Sequence, residues 1–274
     1  DLLEHAAAST PARHLHPAHA LGVHRDGARW RVDYEHEGVK ASLHAPLVVL
    51  ADGGDLPGVT PPRVTDYRQV ALTARVWKER PHGNVAYERF TPDGPLALLP
   101  YADAMALVWA LPPTRAEAMT AANDAEFLLA LREAFGGRLG DFTAVSNRAV
   151  YPLTLRRREA GGAGLIAIGN AAQTLHPVAG QGFNLGLRDA VVLARMLRDA
   201  PVHALGEAAL AREFHAARRA DRAAVTAVTH GLVQLFSNDF APLAAARGAG
   251  LGLLAAFPPA KDFLARRMML GARG

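Results

Sequence analysis

The sequence predicts an α/β fold into which an antiparallel, α+β-type sheet region is set, and three patterns lead to it. Leu165, Ile166, Ala167 and Ile168 form a short apolar run that stops at Gly169 and Asn170, as a strand covered on both faces would. A glycine-rich loop follows. Phe183, Leu187, Ala190, Val191, Ala194 and Leu197 then recur at helical spacing, with Arg188, Arg195 and Asp199 on the opposite side, so the segment AGQG sits at a helix N-terminus. Between residues 67 and 113, by contrast, YRQVALTARVW, NVAYERF, GPLALLPY and AMALVWALPP are strand-like runs separated by proline and glycine breaks, the pattern of an antiparallel sheet.

In chain order, DLLEHAAA reads as the end of a helix, and AHALGVHRDGARWRVDYE as two alternating runs around an Asp26-Gly27 hairpin turn. Leu47, Val48, Val49 and Leu50 form a buried strand that runs into Ala51-Asp52-Gly53-Gly54. After the sheet region, residues 116–135 read as one helix stopped by Gly136-Gly137, and 142–155 return as a strand. From residue 204 the chain is helical. Leu210, Phe214, Ala217, Ala224, Val228, Leu232 and Leu235 make an apolar face, and Arg212, Arg218, Arg219 and Arg222 mostly make a solvated one. The tail LGLLAAFPPAKDFLARRMMLGARG mixes apolar side chains with Lys261, Arg266 and Arg267, a composition that suits either an anionic lipid surface or ordinary helix packing.

With 274 residues, half of them apolar, the chain can bury the core of one large or two modest domains. The absence of cysteine excludes disulfides, thiolate metal sites and a cysteine nucleophile, and is compatible with a reducing cytosol. The net charge of +4 is carried mostly by arginine, but no basic stripe has interleaved aromatics, so no nucleic-acid partner is expected. No apolar run is long enough to span a bilayer and no signal peptide opens the chain. His14, His16 and His19 share no regular face and lack a nearby carboxylate, so no metal site is expected.

A helix N-terminus presents unpaired N–H groups and a partial positive charge, which stabilise phosphate or an electron-rich carbonyl. Gly180 and Gly182 suit that task because, lacking Cβ, they take positive φ and let a flat or anionic ligand come close. An ordinary strand-to-helix turn accounts for the glycines equally well on spacing alone. Asp52-Gly53 after a strand is, by itself, a common turn. His176 stands next to Pro177, where an imidazole would either assist proton transfer or position the loop. No G-x-G-x-x-G fingerprint with an acidic residue about twenty positions later is present, since GGAGLIAIG has the wrong spacing.

GNAAQTLHPVAGQGFNLGLRDA resembles the second flavin-binding motif of the class A FAD-dependent aromatic hydroxylases, in the form found in the ubiquinone-biosynthesis hydroxylases. Most of the wider superfamily carries Asp after the first glycine; Asn170 is a departure shared with the ubiquinone branch. The resemblance implies that Gly169 and Asn170 meet the ribityl chain of FAD, that Pro177 lies by the isoalloxazine ring, and that Gly180, Gln181, Gly182, Phe183 and Asn184 present backbone groups to its pyrimidine edge. Asp52 and Gly53 resemble the DG motif of the same enzymes, near the FAD pyrophosphate, although the usual serine and arginine downstream are replaced by GDLPGVTPPR. VAYERFTPDGPLALLP is also typical of the ubiquinone branch, and Tyr87, Phe90, Leu98 and Pro100 there either line a cavity for a prenylated phenol or belong to the core.

The fold so implied is an incomplete Rossmann-like FAD domain plus an antiparallel-sheet substrate domain and C-terminal helices. Residues 1–66 carry the DG motif, 67–155 the substrate domain, 156–200 the return of the FAD domain, and 201–274 the helical region; the chain is expected to cover the C-terminal two-thirds of such an enzyme. The implied function is that of an FAD-dependent monooxygenase that uses NAD(P)H as a transient co-substrate, with dioxygen, to hydroxylate a polyprenylated phenol in ubiquinone biosynthesis. Expected partners are the lipid-soluble phenol and either a membrane surface or a quinone-synthesis complex, with a cytoplasmic location at the inner face of the membrane. The alternative is a flavin-free fragment with a structural or assembly role in such a complex.

Overall fold

A computed structural model describes residues 2–158, 162–236, 248, 250, 252–254 and 256–270. The chain mixes helix and sheet and divides into two compact units, each built from discontinuous segments. The first comprises residues 1–63, 158–172 and 189–217; the second comprises 64–157, 173–188 and 218–274.

In the first unit, helix α1 (Leu2–Ala8) precedes strands β1 (Ala18–Asp26), β2 (Arg29–His36) and β3 (Val39–Ala45), which form an antiparallel meander. The expected hairpin is present around Gly27 at φ +55°, and the alternation of β3, all but its last residue exposed, was too polar to read as a strand. Strand β4 (Val48–Leu50) pairs in parallel with β11 (Leu165–Ala167), in register Leu165 with Val48 and Ala167 with Leu50. The β11 strand is covered on both faces, as its apolar run requires. Leu165 and Ala167 pack with Val23, Trp30 and Leu50, while Ile166 packs with Leu193, Ala211 and Phe214. The β4 strand is less buried than its composition suggests, since Val49 is 37% exposed.

The second unit is built on a seven-stranded antiparallel sheet. Strands β5 (Arg63–Lys78), β6 (Tyr87–Thr91), β7 (Gly94–Tyr101) and β8 (Ala104–Leu111) fall where the strand-like runs place them. Its order is β12-β10-β5-β8-β7-β6, with β9 also on β5. The return strand is two strands, β9 (Phe142–Val145) and β10 (Ala149–Arg157), and β12 is Gln173–Thr174. Period-two alternation divides the sheet's faces. Leu72 and Val76 of β5, with Leu107, Trp109 and Leu111 of β8, are buried against the helices that follow, whereas Ala71, Ala110 and Leu153 point to the opposite face with Tyr67.

The helix read over 116–135 is two helices, α2 (Pro113–Ala121) and α3 (Asp124–Phe135). Asn123 breaks it: its side chain accepts from the Glu126 N–H, and the Glu126 side chain accepts from the Asn123 N–H, a capping box that stabilises a new helix start. Phe127, Leu131 and Phe135 recur at i, i+4 and i+8 and fill the core beneath.

Two further helical readings need correction. In α4 (Gln181–Asp199) the expected inner face is turned outward, with Phe183 80%, Leu187 53% and Val191 42% exposed. The helix carries a second stripe, Leu185, Asp189 and Leu193, and that stripe is buried. In α5 (Ala208–Phe236) Leu210 and Phe214 of the expected apolar face are buried, but the buried line also takes in Ala211, Arg218, Asp221, Val225 and Thr229, while Val228 and Leu235 are exposed. Arg218 is thus not solvated. It donates to Asp221 at 2.6 Å, and Asp221 also accepts from Arg188 at 2.9 Å. Burial pushes the Asp221 carboxyl up, but the two guanidiniums outweigh it and hold the group below the usual carboxylate range. A further helix, α6, spans Pro258–Leu270; residues 237–247 and 271–274 lie outside the described residues.

The packing of α3 sets a clear stability contrast. Phe127→Ala removes a wholly buried ring and should cost about 3–5 kcal/mol of unfolding free energy, whereas Leu129→Ala, on the exposed side of the same helix, should cost under about 0.5 kcal/mol. Urea denaturation of the two variants measures the difference.

Candidate flavin site

In the first unit, β4 and β11 lie side by side in parallel, and the loops leaving their C-terminal ends are the two sequence-marked ones. Gly53 has φ +72°, and a Cβ added to it would lie 3.3 Å from the Asn170 Cβ, so Asp52-Gly53 and Gly169-Asn170 are brought together. Gly169 also has positive φ, +56°, which few side-chain-bearing residues adopt. Its N–H donates to the Asp189 carboxylate at 3.2 Å, and Asp189 is fully buried on α4. This contact explains why the second stripe of α4 turns inward. Asp52 and Asn170 are exposed, available to a ligand at this edge.

In the second unit, residues 176–184 form a compact turn into α4. Pro177 initiates a short 3-10 turn at Val178–Gly180, whose last N–H returns to the Pro177 carbonyl at 2.9 Å. Gly180 has φ +58°, and a Cβ on Gly180 or Gly182 would meet nothing within 4 Å. The turn therefore leaves open space beside the first turn of α4, at Gln181 to Asn184. A flat, electron-rich ring edge fits such a place. The positive end of a 19-residue helix stabilises negative charge set against it.

His176 is 1% exposed and lies on the second face of the sheet, its ring edge-to-face with Tyr67 at 5.2 Å. The Val178 N–H donates to its Nδ1 at 3.2 Å. That bond assigns the proton to Nε2, which has no hydrogen-bond partner among the described residues. Burial lowers the imidazole pKa to about 4, so the ring is neutral near pH 7 and acts as a donor at Nε2. Tyr67 also approaches His230 of α5 at 6.0 Å, and burial pushes its phenol above the ordinary range, against the Arg157 charge.

Three residues of these sites were not singled out by sequence. Asp189 lies within the recognised motif but carries no role of its own there. Tyr67 reads only as part of a strand-like run, and Arg158 lies in a run of three arginines to which the sequence assigns no role. Arg158 instead has a 3% exposed side chain and bonds to both loops of the first unit.

Of the two readings of Tyr87 and Leu98, cavity lining or core, the second holds. Leu98 is wholly buried and Tyr87 packs edge-to-face on Phe135 at 5.6 Å, so both belong to the core between sheet and helices. A cavity of about 400 Å³ is present elsewhere in that unit, lined by Val70, Ala116, Thr120, Ala121 and Val150. Among the described residues, no group of three or more His, Asp or Glu could hold a metal ion.

Comparison with known proteins assigns the lineage. Residues 1–229 match the FAD binding domain family. The chain belongs to that family. It is 38% identical over 248 residues to the ubiquinone hydroxylase UbiL of Rhodospirillum rubrum, covering 85% of this chain and 58% of that protein. It is 34% identical to the 3-demethoxyubiquinol 3-hydroxylase of Escherichia coli, covering 78% of this chain and 56% of the relative. The chain thus spans somewhat more than half the length of these relatives. Its fold is shared with p-nitrophenol 4-monooxygenase PnpA of Pseudomonas putida, at TM-score 0.70 and 19% identity over 94% of this chain and 67% of that one. The anhydrotetracycline hydroxylase OxyS of Streptomyces rimosus gives TM-score 0.67 and 23% identity, covering 98% of this chain and 55% of that one.

The depressed His176 pKa has a defined linkage. A buried neutral histidine contributes stability that is present above its unfolded pKa of 6.5 and is lost as pH falls toward about 4. Lowering the pH from 8 to 5 should cost about 2 kcal/mol through this group alone. Urea denaturation at both pH values should show that His176→Gln lacks this share of the loss.

Proposed function

We propose that the chain supplies the flavin-facing and substrate-facing part of an FAD-dependent monooxygenase that hydroxylates a polyprenylated phenol in ubiquinone biosynthesis, with NAD(P)H as transient co-substrate. The observation that carries this reading is the open glycine turn at the head of α4, in a chain of the FAD binding domain family. The substrate class follows from the ubiquinone-linked relatives and from the form of the GNAAQTLHP motif.

Bound FAD would supply the redox and oxygen chemistry. The amides of Gln181 to Asn184 would bind its pyrimidine edge and stabilise negative charge there. Pro177, exposed at the start of the turn, would pack on the ring system, and Asp52, Gly53, Gly169 and Asn170 would meet the polar chain of the cofactor. His176 would hold the turn through its bond from Val178 and offer the Nε2 proton as a neutral donor, not as an acid–base shuttle near pH 7. Tyr67, Ala71 and Leu153, on the sheet face away from α2 and α3, would help exclude water from the reacting ring.

The reading also has a surface component. No helix among the described residues is long and apolar enough to cross a membrane. Leu253, Phe257 and Phe263 are 72%, 60% and 71% exposed beside the exposed cations Lys261 and Arg266. A basic, apolar helix of this kind suits peripheral contact with anionic lipid, where a prenylated phenol resides.

Two measurements test these statements. FAD should bind the chain on fluorescence titration, and dioxygen with NAD(P)H should add one oxygen atom to a prenylated phenol, read by mass spectrometry. Gly182→Val should lower FAD affinity more than about tenfold with little change in melting temperature, because its side chain enters open space in the free protein. Unchanged affinity would remove the role given to the turn. Separately, the chain should sediment with phosphatidylglycerol vesicles at low salt and less so at high salt, with Phe257→Ser/Phe263→Ser weakening the association. Equal binding to neutral phosphatidylcholine would count against the electrostatic part.

A further inference from the structure

A buried guanidinium is costly unless its donors are matched, and Arg158 is matched almost wholly by backbone. Its Nε donates to the Ala171 carbonyl at 3.0 Å, and its Nη2 donates to the Gly54 carbonyl at 3.2 Å and to Asp55 Oδ1 at 3.4 Å. Its Nη1 donates to the Thr60 carbonyl, and its own backbone N–H donates to the Ala172 carbonyl at 2.8 Å. Asp55 is largely exposed, so the ion pair contributes little. The carbonyls define the geometry.

These acceptors belong to three stretches of the chain: the loop after β4, the segment at Thr60, and the loop after β11. Five donors fixed in one plane reach diverging acceptors in a way that an ammonium on a flexible stem does not. The bond to the Gly54 carbonyl also sets a direction. In a trans peptide the C=O and the following N–H point oppositely, so the Gly54–Asp55 amide faces away from the guanidinium. The approach of Gly53 to Asn170 leaves little freedom, because an added Cβ would already stand 3.3 Å away.

We propose that Arg158 is a positioning residue for cofactor recognition, holding the loops at 52–55 and 169–171 in one arrangement from which they bind the polar chain of FAD. The proposal rests on the flavin reading above and adds a residue that acts on the cofactor only through these loops. A lysine retains the charge without the fork and does not reproduce the arrangement.

Hydrogen–deuterium exchange of the flavin-free chain, followed by FAD titration of the same preparations, tests it. In Arg158→Gln, exchange at residues 52–55 and 169–171 should rise more than about tenfold while amides of the β5–β8 pairing keep their protection, and FAD affinity should fall more than about tenfold. Arg158→Lys should show the same rise with a smaller loss of affinity. Wild-type protection of both loops in Arg158→Gln overturns the proposal, as does wild-type FAD affinity with the loops loosened. If loops loosen in the variant but the unsubstituted chain binds no FAD, the flavin reading fails and the clamp stands as a structural feature, which overturns its cofactor role. Should Arg158→Gln fail to fold, Arg158→Lys decides by the same loop exchange.

Discussion

The parallel pairing of β4 with β11 brings together two stretches that lie far apart in the chain, and the meeting of the Asp52-Gly53 and Gly169-Asn170 loops depends on it. Both strands end at the same level, with the Ile168 N–H donating to the Leu50 carbonyl at 2.9 Å, so both following loops emerge on one edge. In open α/β sheets, the space beyond the carboxyl ends of parallel strands is where ligands bind, because the backbone must turn there and can expose its amides. Everything else in that unit serves the edge. The β1–β3 meander covers one side of the pair, α4 and α5 residues cover the other, and Asp189 fixes the Gly169 turn from beneath.

The second unit solves a different problem. Alternation along β5 and β8 assigns each side chain to one face of the antiparallel sheet or to the other. The helix-bearing face is large and dry, centred on Trp109, Phe127 and several leucines. The opposite face carries smaller residues, Ala71 and Ala110, with Tyr67 and His176 beside them. Those alanines are buried, and a buried, neutral imidazole beside them gives directional hydrogen bonding without bringing a charge into a dry environment.

Strand positions and the glycine turn were legible because their signals are local. Alternation marks β5 to β8, the Asp26-Gly27 turn marks the first hairpin, and the GNAAQTLHPVAGQGFN string marks the turn into α4. Helix orientation was less legible. Both α4 and α5 carry more than one stripe at helical spacing, and which one turns inward is decided by partners distant in sequence. Arg218 reads as a solvated charge until Asp221 and Arg188 are in place, and Asp189 shows its role only beside Gly169. Asn123 is the reverse case: the Asn-x-x-Glu capping signal was present in the sequence, but a continuous apolar rhythm over 116–135 concealed the break. Arg158 could not have been found from its neighbours, because its acceptors are carbonyls on loops whose proximity only the fold creates.

The discontinuity of the two units has a consequence for the order of synthesis. The β4 strand leaves the ribosome roughly 115 residues before β11 is complete, which at ordinary translation speed is a wait on the order of ten seconds. During that interval strands β5 to β10 are complete and most of the antiparallel sheet can form, whereas β4 still waits for β11. A growing polypeptide therefore carries most of the antiparallel sheet well before β4 meets β11, and the last strand of that sheet, β12, joins only after the parallel pair can close.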